Sequence, residues 1–243
     1  MGIEAVVTGL VVLAATARAD LVRHAPSHAG SSVVVLGDSV TKGDRHYLKP
    51  ALNAVGWAHV KVDGEPCRRI PASASEPYSG VKIVRALRAA GASPDAFVIA
   101  LGTNDIGFVV EYHQTPRKLI SEMLDAIGPG RRVLWVDVVQ PDLPEGAAWF
   151  NRTLAEMAEE RPGQLLVLRW SRAAAAHHEW FLDDGIHLSE IGHAQRAALV
   201  AQASLALRRP GAPPALPPIP ASLYPASRGL FGWRGAPVWA RAW

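Results

Sequence analysis

From residue 31 onward the chain alternates short β-rich runs with stretches of helical spacing, and this alternation constrains the fold more than any other feature. Residues 32–36 (SVVVL) form a continuous apolar run stopped at Gly37, the pattern of a strand buried on both faces. Residues 59–63 (HVKVD), 96–101 (AFVIAL, stopped at Gly102), 132–139 (RVLWVDVV, stopped by Pro141) and 165–169 (LLVLR) read as four more strands. Between them, residues 79–90 carry Val81, Ile83, Val84 and Leu87 at helical spacing before Gly91. Residues 115–127 open on Thr-Pro and end at Gly128, residues 147–160 end before Pro162, and residues 189–207 follow a Ser189 cap. Strands separated by helices predict an α/β parallel sheet covered on both faces, with right-handed crossovers and ligands at the carboxyl ends of the strands.

Composition narrows the function classes. The 243 residues are 49% hydrophobic and 19% charged, enough for one sizeable domain, expected over residues 31–209, with extensions at either end. No apolar run reaches the roughly 18–20 residues of a transmembrane helix, so no integral membrane span is expected. The net charge of +3 and pI near 9.2 suggest a nucleic-acid partner, but the distribution argues against one. All 22 acidic residues precede position 191, whereas six of the 25 basic residues follow it, so the first 190 residues carry a net negative charge. A basic stripe interleaved with stacking aromatics is missing. The single cysteine, Cys67, excludes a disulfide framework or a cysteine zinc site within one chain.

The two ends read differently from the middle. Residues 1–30 look like a signal peptide and lead. Residues 5–15 are apolar and Ala17-Arg18-Ala19 fits a small-x-small cleavage site, although Glu4 stands where a positive charge is usual. A secreted or cell-envelope protein is expected; a cytoplasmic one with an apolar N-terminal helix is the alternative. Residues 210–243 hold seven prolines in their first sixteen positions and no acid, and read as a disordered tail. Its Trp233, Trp239 and Trp243 suit a partner or membrane surface, or no defined role.

Three short segments carry the chemistry, each just after a strand or before a helix. Gly37-Asp38-Ser39-Val40 presents a serine hydroxyl and a backbone N–H at a strand end, although a simple helix-capping turn has the same composition. Gly102-Thr103-Asn104-Asp105 offers the Asn104 amide as a donor to an oxyanion, or is an ordinary turn. Asp184-Gly185-Ile186-His187 sets a carboxylate three residues before a histidine, close enough to bind Nδ1–H and leave Nε2 to take a proton. Asp183 competes with Asp184 for that role.

In combination these segments resemble the SGNH hydrolases, also called GDSL esterases, over about residues 33–193. GDSV (37–40), GTND (102–105) and DGIH (184–187) are similar to that family's first, third and fifth blocks. The rival GxSxG elbow is absent. The resemblance implies a three-layer α/β/α, flavodoxin-like fold with five parallel strands ordered 2-1-3-4-5. It implies that Ser39 attacks the acyl carbonyl of a short-chain or O-acetyl ester, that His187 takes the serine proton and that Asp184 orients His187. The oxyanion would be held by the Ser39 N–H, the Asn104 amide and a backbone N–H from the second block. That block departs from the family, which has a glycine after the second strand where this chain reads Gly64-Glu65-Pro66-Cys67-Arg68-Arg69. Gly64, Cys67 and Gly80 are candidates, with Cys67 preferred; a positive φ there would cost a cysteine on the order of 1 kcal/mol.

The expected substrate is a small-molecule or carbohydrate ester, and the chemistry calls for no metal or organic cofactor. EPCRRI (65–70) and SGV (79–81) are similar to actinobacterial-type SGNH domains fused to membrane acyltransferases. O-acyl transfer to a carbohydrate is therefore one alternative to hydrolysis, and a catalytically weakened binding module is another. The oligomeric state is open. Trp135 reads as core, Trp180 and Phe181 as acyl-pocket lining or as loop anchors, His177 and His178 as solvated, and Arg68 and Arg69 as solvated loop charges or as contacts for an anionic substrate at the cleft rim.

Overall fold

In the computed structural model, which describes residues 31–111 and 115–208, five parallel strands form one sheet in the order β2-β1-β3-β4-β5. They are β1 (Ser32–Gly37), β2 (His59–Gly64), β3 (Ala96–Ala100), β4 (Arg132–Val136) and β5 (Leu165–Leu168). The helices are α1 (Ser39–Ala54), α2 (Gly80–Ala89), α3 (Ile106–Glu111), α4 (Pro116–Ile127), α5 (Pro144–Glu160), α6 (Trp170–Ala174) and α7 (Glu190–Ser204). Both the α/β class and the strand order are as expected. The expected signal peptide and the Pro/Arg/Trp tail lie outside the described residues. No helix among the described residues is long and apolar enough to cross a membrane.

Side-chain alternation along the strands sorts the core into two faces. Val34, Leu36, Phe97, Ile99, Val133 and Trp135 pack with α2 to α5, whereas Val33, Val35, Val98, Leu134 and Val136 pack with α1, α6 and α7. Burial on both sides is why the central strands lack polar alternation.

One strand ends earlier than expected, and one long helix was not expected. β4 stops at Val136 rather than 139, because the Asn151 side chain replaces a neighbouring strand: its Oδ1 accepts from Val138 N–H at 3.0 Å and its Nδ2 donates to Val138 O at 2.9 Å. The helix after Ser39 runs to Ala54 although its sequence is largely polar. Val40, Asp44, Leu48 and Leu52 form its buried stripe, and a carboxylate in that stripe obscures the apolar period.

Candidate active site

The carboxyl ends of β1 and β3 meet the loop before α7. Asp38 caps α1, its Oδ1 accepting from Val40 N–H at 3.1 Å. Ser39 is thereby the first residue of the helix, where N–H groups have no intrahelical acceptor and the dipole favours negative charge. Asp38 itself is buried, and burial pushes its carboxyl up, against the opposing pull of the Arg196 charge and the Val40 N–H.

Residues 181–188 form a tight loop. Phe181 and Leu188 bridge in antiparallel fashion, Leu182 N–H donates to His187 O at 2.8 Å, and Gly185 N–H donates to Leu182 O at 2.9 Å. Below the loop, Trp180 is buried and stacks on Trp170 at 5.6 Å and on His177 at 3.9 Å. Phe181 tilts against Trp170 at 6.0 Å. Ser189 caps α7 and donates to Glu179 O at 2.7 Å. Trp180 thus anchors the loop rather than lining an acyl pocket, and His177 is part of the anchor rather than simply solvated.

This scaffold places His187 Nε2 2.9 Å from Ser39 Oγ and His187 Nδ1 2.6 Å from Asp184 Oδ2. The other carboxylate oxygen of Asp184 accepts from Ile186 N–H at 2.9 Å and His187 N–H at 2.8 Å. Partial burial works against ionisation of Asp184. The hydrogen bonds from the His187 ring and the two backbone N–H groups outweigh it and hold the carboxyl below its ordinary value. Asp183 is exposed beside it, and the carboxylate at the imidazole is that of Asp184.

The loop after β2 is a turn with Arg68 N–H bonded to Glu65 O at 3.2 Å, Pro66 at its second position and Cys67 at its third with φ 60°. That is the residue order of a type II turn, whose third position asks for positive φ. Cys67 is the only non-glycine with positive φ among the described residues. Gly64 and Gly80 serve close packing instead: a Cβ would lie 2.4 Å from Lys42 N at the first and 2.5 Å from Leu101 Cδ1 at the second. Of the three second-block candidates, Cys67 is the one in the left-handed region.

Arg68 corrects the expectation of a solvated charge. It is buried, and its guanidinium donates to Gly37 O at 3.1 Å, Asp63 O at 3.0 Å and Pro77 O at 3.0 Å, with the Asp63 carboxylate at 2.9 Å. It ties the ends of β1 and β2 to the following loop. Arg69 likewise lies over the Phe108 ring, 3.9 Å from its centroid. The turn after β3 grips the same segment. Asn104 Nδ2 donates to Arg68 O at 3.1 Å, which commits one of its two amide hydrogens. Both oxygens of Asp105 accept from Ile70 N–H at 3.2 and 3.1 Å, and burial pushes the Asp105 carboxyl up to about 8 despite that bond.

The chain matches the GDSL-like Lipase/Acylhydrolase family over residues 35–195. No curated protein matches it by sequence. Among solved structures, it is similar to the C-terminal catalytic domain of peptidoglycan O-acetyltransferase A from Streptococcus pneumoniae, at 18% identity and TM-score 0.57, covering 73% of this chain and 94% of that one. A carbohydrate acetylesterase from Sinorhizobium meliloti matches at 20% identity and TM-score 0.54, over 73% and 99% of the two chains. A lipase/acylhydrolase from Enterococcus faecalis matches at 20% identity and TM-score 0.56, over 75% and 100%. At these identities the likeness is one of fold.

Proposed function

This chain belongs to the GDSL-like lipase/acylhydrolase family, and on that premise we propose that it cleaves short-chain or O-acetyl esters through an acyl-enzyme on Ser39. The observation that carries the reading is the continuous hydrogen-bonded chain from Ser39 Oγ through His187 to Asp184.

In this reading Ser39 Oγ forms a bond to the acyl carbon while its proton passes to His187 Nε2. Asp184 holds the Nδ1–H tautomer and stabilises the imidazolium. The carbonyl oxygen becomes an oxyanion facing the Ser39 N–H at the helix terminus, the second amide hydrogen of Asn104 and the Cys67 N–H. The ester C–O bond then breaks as His187 returns the proton to the leaving alcohol oxygen. A water, deprotonated by His187, attacks the acyl carbon, releases the acid and restores Ser39. Cys67 supplies only a backbone N–H, so replacing the family glycine need not cost the donor.

The test is turnover of p-nitrophenyl acetate by the purified chain and by Ser39→Ala, with labelling by an active-site phosphonate. Turnover and labelling by the wild type alone are expected; equal activity in both proteins would overturn the role of Ser39. A wild type that neither turns over nor labels would point to the binding-module alternative. Hydrolysis and transfer share the acyl-enzyme and differ in which hydroxyl His187 deprotonates, so product analysis with a carbohydrate acceptor separates them.

A further inference from the structure

The sheet edge is divided in two. Cys67, Ser39 and Asn104 follow β2, β1 and β3, whereas the ends of β4 and β5 lead into a separate open groove of about 620 Å³. One wall is the face of α5 that includes Asn151 and Arg152, and the other is the start of α6 with Arg169 and Arg172. The floor holds Asp137, whose carboxylate is taken up by Ser171 N–H at 2.7 Å and Ser171 Oγ–H at 2.6 Å. Arg152, Arg169 and Arg172 are exposed, and none of them has an ion-pair partner among the described residues. Three arginines, one from α5 and two from the start of α6, therefore line one concavity, and its only lining carboxylate, Asp137, is already engaged by Ser171 and within reach of the Arg169 charge.

The groove also reaches the acid–base loop. Pro141, at its end, packs under Gly185, where an added Cβ would come 3.0 Å from the Pro141 ring. Gly185 lies between Asp184 and His187. In ester cleavage the leaving oxygen departs toward the histidine that protonates it, so the alcohol half of the substrate leaves on the His187 side and the acyl oxygen points toward the β2–β1–β3 side. A guanidinium matches carboxylate or phosphate oxygens two at a time.

Resting on the esterase reading, we propose that this groove binds the alcohol half of the substrate and selects alcohols carrying a carboxylate or phosphate, held by Arg152, Arg169 and Arg172.

The test compares three acetate esters of matched shape: 4-acetoxybenzoate, 4-acetoxyphenyl phosphate and neutral 4-acetoxybenzamide. The wild type is expected to prefer at least one anionic ester by about tenfold in kcat/KM, mainly through KM, as expected for several exposed charge contacts acting together. Which anion gains more identifies carboxylate or phosphate as the natural group. The preference shrinks as ionic strength is raised, and in the R152Q/R169Q/R172Q variant the anionic-to-neutral ratio falls to about one. Equal use of charged and neutral esters by the wild type, or a preference that survives the triple substitution, overturns the proposal. Should no ester be cleaved, the esterase reading fails and the groove is still decided by binding. Titration of the wild type with 4-hydroxybenzoate and with inorganic phosphate shows saturable binding that the triple variant loses, or else the groove is not an anion site.

Discussion

The described residues hold two histidine–aspartate pairs, six residues apart in their histidines, and they do different things. In the loop before α7, His187 Nδ1 meets Asp184 at 2.6 Å; in the seam between α1 and α7, His193 Nδ1 meets Asp44 at 2.5 Å. The contacts are nearly the same and the surroundings are opposite. Asp184 is exposed, is bonded to backbone N–H groups and has an imidazole whose far nitrogen meets Ser39 Oγ. Asp44 is fully buried and also pairs with Arg196, while the His193 ring stacks on Tyr47 at 5.6 Å. Gly43 lets that ring in, since a Cβ there would lie 2.5 Å from His193 Cε1. A His–Asp contact is therefore no evidence of catalysis by itself; what faces the second ring nitrogen decides. The seam staples the helix that begins with Ser39 to the helix that follows His187, so it keeps Ser39 and His187 in register.

Substitutions can break this contrast. His187→Ala is expected to lower kcat/KM on p-nitrophenyl acetate by on the order of 10⁴–10⁶-fold without a matching loss of stability. His193→Ala, in the same assay, should leave kcat within about tenfold of the wild type; an equal collapse of both variants would erase the distinction between the two pairs. Asp184→Asn disturbs the tautomer but not the fold, and should cost on the order of 10²–10⁴-fold in kcat. Asp44→Ala should behave the other way, removing about 3–5 kcal/mol of unfolding free energy in a denaturant titration because Arg196 is left buried and unpaired.

Smaller effects sharpen it. Buried Asp105 is pushed up to about 8 from an ordinary value of 3.8. The unfolded chain therefore gives up this proton at lower pH than the folded one, and the Asp105 contribution to stability falls as pH rises from about 4 to about 8. Melting temperature measured across that range should decline on this account, and Asp105→Asn should flatten the decline. Asp184, held below its ordinary value, has the opposite sign, and its contribution is lost only as pH falls through the acid range. Smallest is Cys67→Gly, which relieves the positive φ and should raise stability by up to about 1 kcal/mol by thermal melting, with turnover within about threefold because the backbone N–H is retained.

Much of this was local enough to read from residue order. Strand and helix alternation, the stops at Gly37, Gly102 and Gly128, and the caps at Thr115 and Ser189 depend on neighbouring residues, so the five strands and four of the helices were legible. Asp184 and His187 were legible as a pair because they are three residues apart on one turn. The left-handed conformation of Cys67 followed only in part, since Pro66 announces a turn but not its type.

What tertiary structure alone decided is which distant charges meet. Arg68 and Arg69 are adjacent, yet only Arg68 is buried, because Gly37, Asp63 and Pro77 converge on it from three segments. Asp44 sits in an otherwise apolar stripe of α1, and its partners His193 and Arg196 come from α7, 149 and 152 residues further along the chain. Arg152, Arg169 and Arg172 became one groove only when α5 and α6 were set on either side of the β4–β5 edge. Backbone periodicity and turn chemistry are written within a few residues, whereas the field at a site is summed over groups that the chain brings together from far apart.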